Sequence, residues 1–232
     1  MVRVLALDTA LAATSAAVYD AATDQVLASE TEAMERGHAE ALMPMVARVL
    51  AASGLRFDDI DRFVVTTGPG SFTGIRIGIA AARGFALINS RPAVGVSTLA
   101  SFAAPLLFGL ERKPVAVAID ARHGMVFFQS LGVGGRTMAG PGLYAIEDAA
   151  RKIGDGAVAF VGNAADRLAA ARKGVSMDLR PGSGIVNTLP APEIGWVARL
   201  GAVADPGAAP ARPLYLRDAN VTMQDRARLQ RV

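Results

Sequence analysis

Two stretches of the chain that lie 112 positions apart share one pattern, an apolar run that ends in an aspartate. The first run ends in Asp8 and the second in Asp120. A β-rich segment follows each run, at residues 14–19 and 125–131. A pattern that recurs after about half the chain indicates a duplicated architecture. We therefore predict an α/β fold of two similar β-β-β-α halves with a cleft between them.

A glycine-rich turn between a predicted strand and a predicted helix is the most distinctive local motif. Residues 67–78 read TGPGSFTGIRIG, and the helical pattern continues to Ile88. Ser71 suits the N-cap of this helix. Free N–H groups at a helix start attract anions, although this turn lacks the lysine of a P-loop. Phosphate binding at the turn and close packing of a second backbone behind it both stay open.

Two predicted helices of the first half carry the candidate partner surface. The helix at residues 38–52 has one apolar face, and the helix after the glycine turn has a stripe of small residues. Because methionine adapts to binding surfaces, Met43 is a better interface candidate than Met45, for which core packing is the alternative. Packing on the chain's own sheet is the alternative for the small-residue stripe. The interface candidates are His38, Leu42, Met43, Met45, Gly74, Arg76, Gly78 and Arg83.

The residue types limit the chemistry of the chain. Cysteine is absent from the 232 residues, which excludes disulfides, thiolate metal sites and a cysteine nucleophile. The two histidines, His38 and His123, form neither an HxxxH nor an HExxH pair. We therefore predict no metal site and no catalytic residue. Asp8, Thr9 and Asp120 are the candidates for a nucleotide contact, and a turn-forming role is the alternative for the two aspartates.

Hydropathy and charge bear on the location of the chain in the cell and on its contact with membranes and nucleic acids. No apolar run reaches the ~20 residues that a membrane span needs, and the N-terminus carries no signal-peptide pattern. We expect a cytoplasmic protein without membrane contact. The net charge of +3 permits contact with nucleic acid but does not predict it.

Six segments, which run in order along nearly the whole chain, resemble the TsaB (YeaZ) family. They are residues 5–10, 38–46, 68–78, 94–99, 119–122 and 213–217. The most specific is GPGSFTGIRIG, which is followed by GVSTL. The chain departs from the family pattern at residues 125–127, where Met-Val-Phe replaces the usual Glu-Val-Tyr, and it matches weakly over residues 132–212.

The resemblance implies a fold and a role. The fold is that of the actin-like ATPases (ASKHA, RNase H-like), with two subdomains of duplicated mixed β-sheets and helices. We place the subdomains at residues 1–108 and 109–232, the second with a mobile tail. The implied role is that of a non-catalytic subunit in the complex that installs N6-threonylcarbamoyl on adenosine 37 of tRNA. The subunit would bind and activate a TsaD-like catalytic paralogue through the two helices of the first half.

The resemblance also implies further partners and leaves alternatives open. A TsaE-like ATPase, a homodimer through the same surface, and tRNA bound through the complex are the implied partners. The isolated chain would need no cofactor, and ATP or ADP could sit at the complex interface. An active ATPase or phosphotransferase that uses Asp8, Thr9 and Asp120 is the first alternative. A metallopeptidase is a weaker one, and direct tRNA binding through Arg217, Arg226, Arg228 and Arg231 is another.

Overall fold

Two five-stranded mixed sheets make up the framework of this computed structural model, which describes residues 2–109, 112–154, 156, 158–175 and 184–216. The first sheet has the order β3-β2-β1-β4-β5. Its strands are β1 (Arg3–Leu11), β2 (Ala13–Asp20), β3 (Gln25–Ala33), β4 (Arg62–Thr66) and β5 (Ala93–Val96). The central strand β1 pairs antiparallel with β2 and parallel with β4.

The second sheet repeats this topology, with the order β8-β7-β6-β9-β10. Its strands are β6 (Val115–Asp120), β7 (Met125–Leu131), β8 (Thr137–Ala145), β9 (Ala159–Val161) and β10 (Gly184–Asn187). Here β6 takes the place of β1, because it pairs antiparallel with β7 and parallel with β9. The predicted duplication of two α/β halves is confirmed.

Helices cover both faces of the first sheet, and alternation along β1 explains how. Leu5 and Leu7 point to the core under α1 (His38–Ser53) and α2 (Phe72–Asn89). Their neighbours Val4 and Ala6 point to the opposite face and pack under α6 (Ile194–Val203). Successive side chains of a strand point to opposite faces, so a strand with apolar residues at every position is buried on both.

The second sheet is covered in the same way. Val117 and Ile119 of β6 belong to the core that contains α3 (Thr98–Phe108), the helix that joins the two halves. Ala116 and Ala118 lie on the other face, against α4 (Ile146–Arg151) and α5 (Ala165–Val175). Among the described residues, no helix combines the length and the apolar character that crossing a bilayer requires.

One helix from the predicted second subdomain, residues 109–232, packs on the sheet of the first, which the prediction did not anticipate. Although α6 follows the second sheet in sequence, it returns to the first sheet, where Val197 and Ala198 are fully buried against Val64. The Arg62 guanidinium donates hydrogen bonds of 2.7–2.8 Å to three carbonyl oxygens at the C-terminal end of α6. The chain returns because the outer face of the first sheet is apolar and needs a cover. The predicted tail, residues 218–232, and Arg217 lie outside the described residues.

Two helical glycines provide a matched test of this packing. A Cβ at Gly201 of α6 would overlap the Val64 side chain, whereas a Cβ at Gly84 of α2 would meet nothing within 4 Å. We expect Gly201→Ala to destabilise the fold by ~1–3 kcal/mol, because overpacking forces the helix away from the sheet. Gly84→Ala should stabilise it by ~0.4–1 kcal/mol through helix propensity. Equilibrium urea unfolding measures both, and equal effects would contradict the close contact of α6 with β4.

Candidate functional site: a cleft between the two sheets

A cleft of about 1160 Å³ opens between the two halves of the chain. One wall consists of the β1–β2 turn, the residues before α1, and the glycine turn with the first turn of α2. The other wall includes the β6–β7 turn and Asn163, and residues 214–216 complete the lining. The duplicated architecture predicted a cleft at this position.

The glycine turn packs tightly on the end of β1. A Cβ at Gly70 would overlap the carbonyl oxygen of Ala10, so the turn requires glycine there. The backbone N–H of Ser71 donates to that same oxygen at 2.7 Å. Ser71 Oγ accepts a 3.3 Å hydrogen bond from the backbone N–H of Gly74, which confirms the predicted N-cap. The N–H groups of Ser71 and Gly74 therefore already donate hydrogen bonds within the chain and are not free to bind a phosphate.

Asp8 and Thr9 are buried inside the first half. Asp8 lies within β1, which continues to Leu11, and its Oδ1 accepts hydrogen bonds from the Thr66 hydroxyl and from the backbone N–H of Ala10. In the described part of the chain, Asp8 Oδ2 has no hydrogen-bond partner. The Thr9 hydroxyl donates to the carbonyl of Gly74 at 2.7 Å. Neither residue lines the cleft, which corrects the prediction that they contact a nucleotide.

Asp120, the counterpart of Asp8 in the second half, does line the cleft. Its Oδ1 accepts a hydrogen bond of 2.6 Å from the Arg167 guanidinium and one of 3.2 Å from the backbone N–H of Arg122. Its own N–H donates to Asn163 Oδ1 at 2.8 Å. Of the three residues predicted to contact a nucleotide, the structure thus places one, Asp120, at the cleft. Its carboxylate already forms an ion pair with Arg167.

Burial divides the predicted interface residues into two groups. Met43, Arg76 and Arg83 are exposed. The buried ones are His38, Leu42, Met45, Gly74 and Gly78. A Cβ at Gly78 would lie 2.7 Å from the Thr9 hydroxyl oxygen. The small-residue stripe therefore packs on the chain's own sheet, which was the alternative to a partner contact. The buried group can support a partner surface only by positioning its helices, which corrects its assignment as contact residues.

His38 illustrates this supporting role. Its Nδ1 lies 2.7 Å from the Thr14 hydroxyl oxygen of β2, which ties the start of α1 to the sheet. Burial of the ring lowers the pKa of His38 below its usual 6.5, because the low-polarity surroundings disfavour the charged form. Burial therefore favours the neutral form of this imidazole, which lies at the rim of the cleft.

The outward faces of α1 and α2 carry an apolar surface, of which the sequence-based interface candidates include only Met43. We call it the two-helix surface; its members are Ala39, Met43, Ala47 and Ala51 of α1 and Ala80, Gly84, Leu87 and Ile88 of α2. Leu87 is 83% exposed and Ile88 is 75% exposed, which is unusual for large aliphatic side chains. The four α1 residues recur at every fourth position, opposite the buried face, and that spacing was the available signal.

An aromatic and arginine cluster at the mouth of the cleft was also missed. The rings of Phe72 and Tyr215 stack with centroids 5.6 Å apart, and Arg76 places its guanidinium carbon 3.7 Å from the centre of the Phe72 ring. Arg76 Nε also donates to the Tyr215 hydroxyl at 3.1 Å. Phe72 is 56% exposed and Tyr215 is 48% exposed. Because Tyr215 lies 139 positions from Arg76, no local pattern reveals this contact.

A metal centre has no candidate ligands within the described ranges. There, no three His, Asp or Glu side chains come together in an arrangement that could hold an ion.

Comparison with known proteins places these features in context. The family model described as TsaD, tRNA N6-adenosine threonylcarbamoyltransferase, matches residues 25–181. The tRNA threonylcarbamoyladenosine biosynthesis protein TsaB of Escherichia coli is 40% identical over 126 residues, which cover 54% of this chain and 53% of that protein. The protein of the same name from Haemophilus influenzae is 34% identical over 128 residues, 55% of this chain and 52% of its own length. The matched region thus spans about half the length of these curated relatives.

Solved structures agree over a larger part of the chain. YeaZ from Pseudomonas aeruginosa is 28% identical, with a TM-score of 0.75 over 93% of this chain and 100% of that chain. Component A of (R)-2-hydroxyglutaryl-CoA dehydratase from Acidaminococcus fermentans shares only the fold, at 11% identity and a TM-score of 0.51 over 87% of this chain and 96% of that chain. With the two equivalent sheets, these similarities confirm the predicted actin-like ATPase fold.

Replacing Asp8 by asparagine tests the burial of its carboxyl group. Burial raises the pKa of Asp8 above its usual 3.8, so the folded chain binds this proton more tightly than the unfolded chain does. The stability that Asp8 contributes is therefore present below pH 3.8 and is lost as the pH rises through the folded-state pKa. The free energy of unfolding of the wild type minus that of Asp8→Asn should fall as the pH rises from ~4. Urea unfolding at a series of pH values measures this difference.

Asp24→Asn is the matched control and should show the opposite sign. The hydrogen bond from Arg199 lowers the pKa of the Asp24 carboxyl, and one from Tyr19 adds to the effect. The stability that Asp24 contributes to the folded chain is present above pH 3.8 and is lost as the pH falls through the lowered folded-state pKa. A wild-type advantage over Asp8→Asn that grows with pH would mean that the fold stabilises the ionised Asp8 carboxylate.

Proposed function

Because the chain belongs to the TsaD family, tRNA N6-adenosine threonylcarbamoyltransferase, as a member of its TsaB (YeaZ) branch, we propose that it is a subunit of the complex that installs N6-threonylcarbamoyl on adenosine 37 of tRNA. Its task there is to bind a TsaD-like catalytic subunit and to favour the active arrangement of that subunit. In this proposal the chain contributes no catalytic residue.

The two-helix surface is the observation that carries this proposal. Large aliphatic side chains such as Leu87 and Ile88 are costly to leave in water, and a contiguous apolar patch marks an interaction site. The small side chains beside them, at positions such as Ala47 and Ala80, let a partner helix approach closely. Because α1 and α2 pack on the same face of the first sheet, their outward faces form one surface. This surface suits a partner that presents helices.

Activation then follows from binding alone. A partner with an active and an inactive conformation shifts toward the active one if the two-helix surface binds the active one more tightly. The shift is limited by the difference between the two affinities. No group of this chain needs to reach the partner's reaction centre.

The same surface accommodates the other implied assemblies. In a homodimer, a second copy of this chain would occupy the two-helix surface, so homodimer and heterodimer would compete. A TsaE-like ATPase and tRNA would join through the complex, with ATP or ADP at the subunit interface. We propose a cytoplasmic location, with which a role in tRNA modification is consistent.

The phosphotransferase alternative finds less support. It needs Asp8, Thr9 and Asp120 to hold metal-bound phosphates, but Asp8 and Thr9 are buried and do not line the cleft. Asp120 faces the cleft, where Arg167 pairs with it. No observation favours the metallopeptidase alternative.

Placing a charge on the two-helix surface tests the proposal. Ala80→Arg should weaken binding to the TsaD-like subunit of the same organism at least ~10-fold, because a charge in a close helix contact costs upwards of ~1.4 kcal/mol. Isothermal titration calorimetry measures the affinity. The matched control is Ala170→Arg, which changes an exposed alanine of α5 on the second half and should bind as the wild type does. Equal affinity of both variants would place the contact elsewhere.

The proposed division of labour predicts a second result, in reconstituted tRNA modification. This chain alone should form no threonylcarbamoyladenosine, and the TsaD-like subunit should need it for activity. With the Ala80→Arg variant, the rate should be low when the variant is limiting and should recover when it is in ~10-fold excess over the TsaD-like subunit. The reason is that mass action overcomes weakened binding but does not replace a missing catalytic group. A rate that stays low at saturation would mean that the chain contributes to the reaction itself.

A further inference from the structure

The aromatic and arginine cluster at the mouth of the cleft has no role in the proposed subunit contact. Phe72 and Tyr215 form a stacked pair in which both rings stay about half exposed. Arg76 fixes this pair through its contact with the Phe72 ring and its hydrogen bond to the Tyr215 hydroxyl. Exposed aromatic rings beside a guanidinium are a surface on which unpaired nucleic-acid bases stack.

The charges around the cluster favour an anionic occupant. Arg36, Arg76 and Arg122 line the cleft. The described residues of the lining include two carboxylates, those of Glu35 and Asp120, and Arg167 pairs with Asp120. Within the described ranges, Arg36, Arg76 and Arg122 have no ion-pair partner, and Arg76 uses only its Nε in the hydrogen bond to Tyr215. Three cationic side chains are therefore available to phosphates.

The dimensions of the cleft favour a strand over a single nucleotide. Its volume of about 1160 Å³ exceeds the ~300–1,000 Å³ that small-molecule pockets occupy. The cationic residues come from three separate elements, namely the segment before α1, helix α2 and the β6–β7 turn. A triphosphate needs its positive groups in one place, but the N–H groups of Ser71 and Gly74 in the glycine turn are already bonded. Dispersed cations suit phosphates spaced along a backbone.

We propose that this cleft mouth binds single-stranded RNA, with one unstacked base on the Phe72–Tyr215 pair and neighbouring phosphates at Arg36, Arg76 and Arg122. The idea rests on the proposed function, in which the complex must hold a tRNA segment near the reaction centre. It assigns part of that task to this chain directly.

Two variants of the full chain test the site. The probe is a short, fluorescein-labelled single-stranded RNA, and fluorescence anisotropy measures its binding. Tyr215→Leu keeps an apolar contact to Phe72 but removes one ring, so affinity should fall about 10-fold. Arg76→Gln should weaken binding and reduce the slope of log K against log salt by ~0.7, the value for one phosphate contact on a single strand. Arg83→Gln removes the next arginine of α2, which does not line the cleft, and should change neither quantity.

Each other outcome overturns the inference. It is wrong if the RNA does not bind, or if Tyr215→Leu and Arg76→Gln bind as tightly as the wild type while their thermal unfolding midpoints are unchanged. Displacement of the RNA by an equal concentration of ATP would identify a mononucleotide site instead. Ala80→Arg separates this inference from the proposed function, because it should lose the partner subunit and keep RNA binding. An RNA result therefore stands or falls independently of the subunit contact.

Discussion

The contact between the glycine turn and the end of β1 sets the geometry of the whole first half. At Gly70 and Gly74 a Cβ would overlap the backbone carbonyls of Ala10 and Thr9, and at Gly78 it would press on the Thr9 hydroxyl. Three glycines in nine residues thus let α2 lie directly on the strand. This approach seals Asp8 and Thr9 from the cleft. It also fixes the outward face of α2, which provides both the cleft mouth and half of the two-helix surface.

The duplication preserved the topology of the two halves but not the environment of their aspartates. The carboxyl of Asp8 is fully buried and one of its oxygens lacks a partner in the described part of the chain, a costly arrangement that raises its pKa. The carboxyl of Asp120 is partly exposed and pairs with Arg167. A site that grips phosphates between two halves needs both carboxylates at the cleft. The closure of the glycine turn over Asp8 therefore leaves the cleft with one of the two equivalent carboxylates.

Sequence patterns could predict the parts of this structure that depend on neighbouring residues. The two buried central strands follow from local runs of apolar residues, and the Ser71 cap follows from its residue type before a helix. The duplication follows from one such local pattern that occurs twice, 112 positions apart. Periodicity also identified the apolar face with Leu42 and Met45, but a face that packs on the chain's own sheet and one that binds a partner look alike. The return of α6 to the first sheet and the Phe72–Tyr215 stack depend on contacts between distant segments. No local pattern encodes those contacts.

The cleft mouth and the two-helix surface meet on α2. The free energy of the contacts that hold the residue between them limits how much binding at one site can change the affinity of the other. Phe72, Arg76, Ala80, Gly84 and Leu87 form one exposed stripe along the helix. Arg76 is the residue between the two sites, because its stacking contact and its hydrogen bond hold it on the cleft side. An exposed cation–π contact and one hydrogen bond together contribute ~1–2.5 kcal/mol. A partner that moved Arg76 from the cleft to the two-helix surface would have to offset that free energy. The change in affinity at one site that is caused by binding at the other through Arg76 therefore cannot exceed about 70-fold.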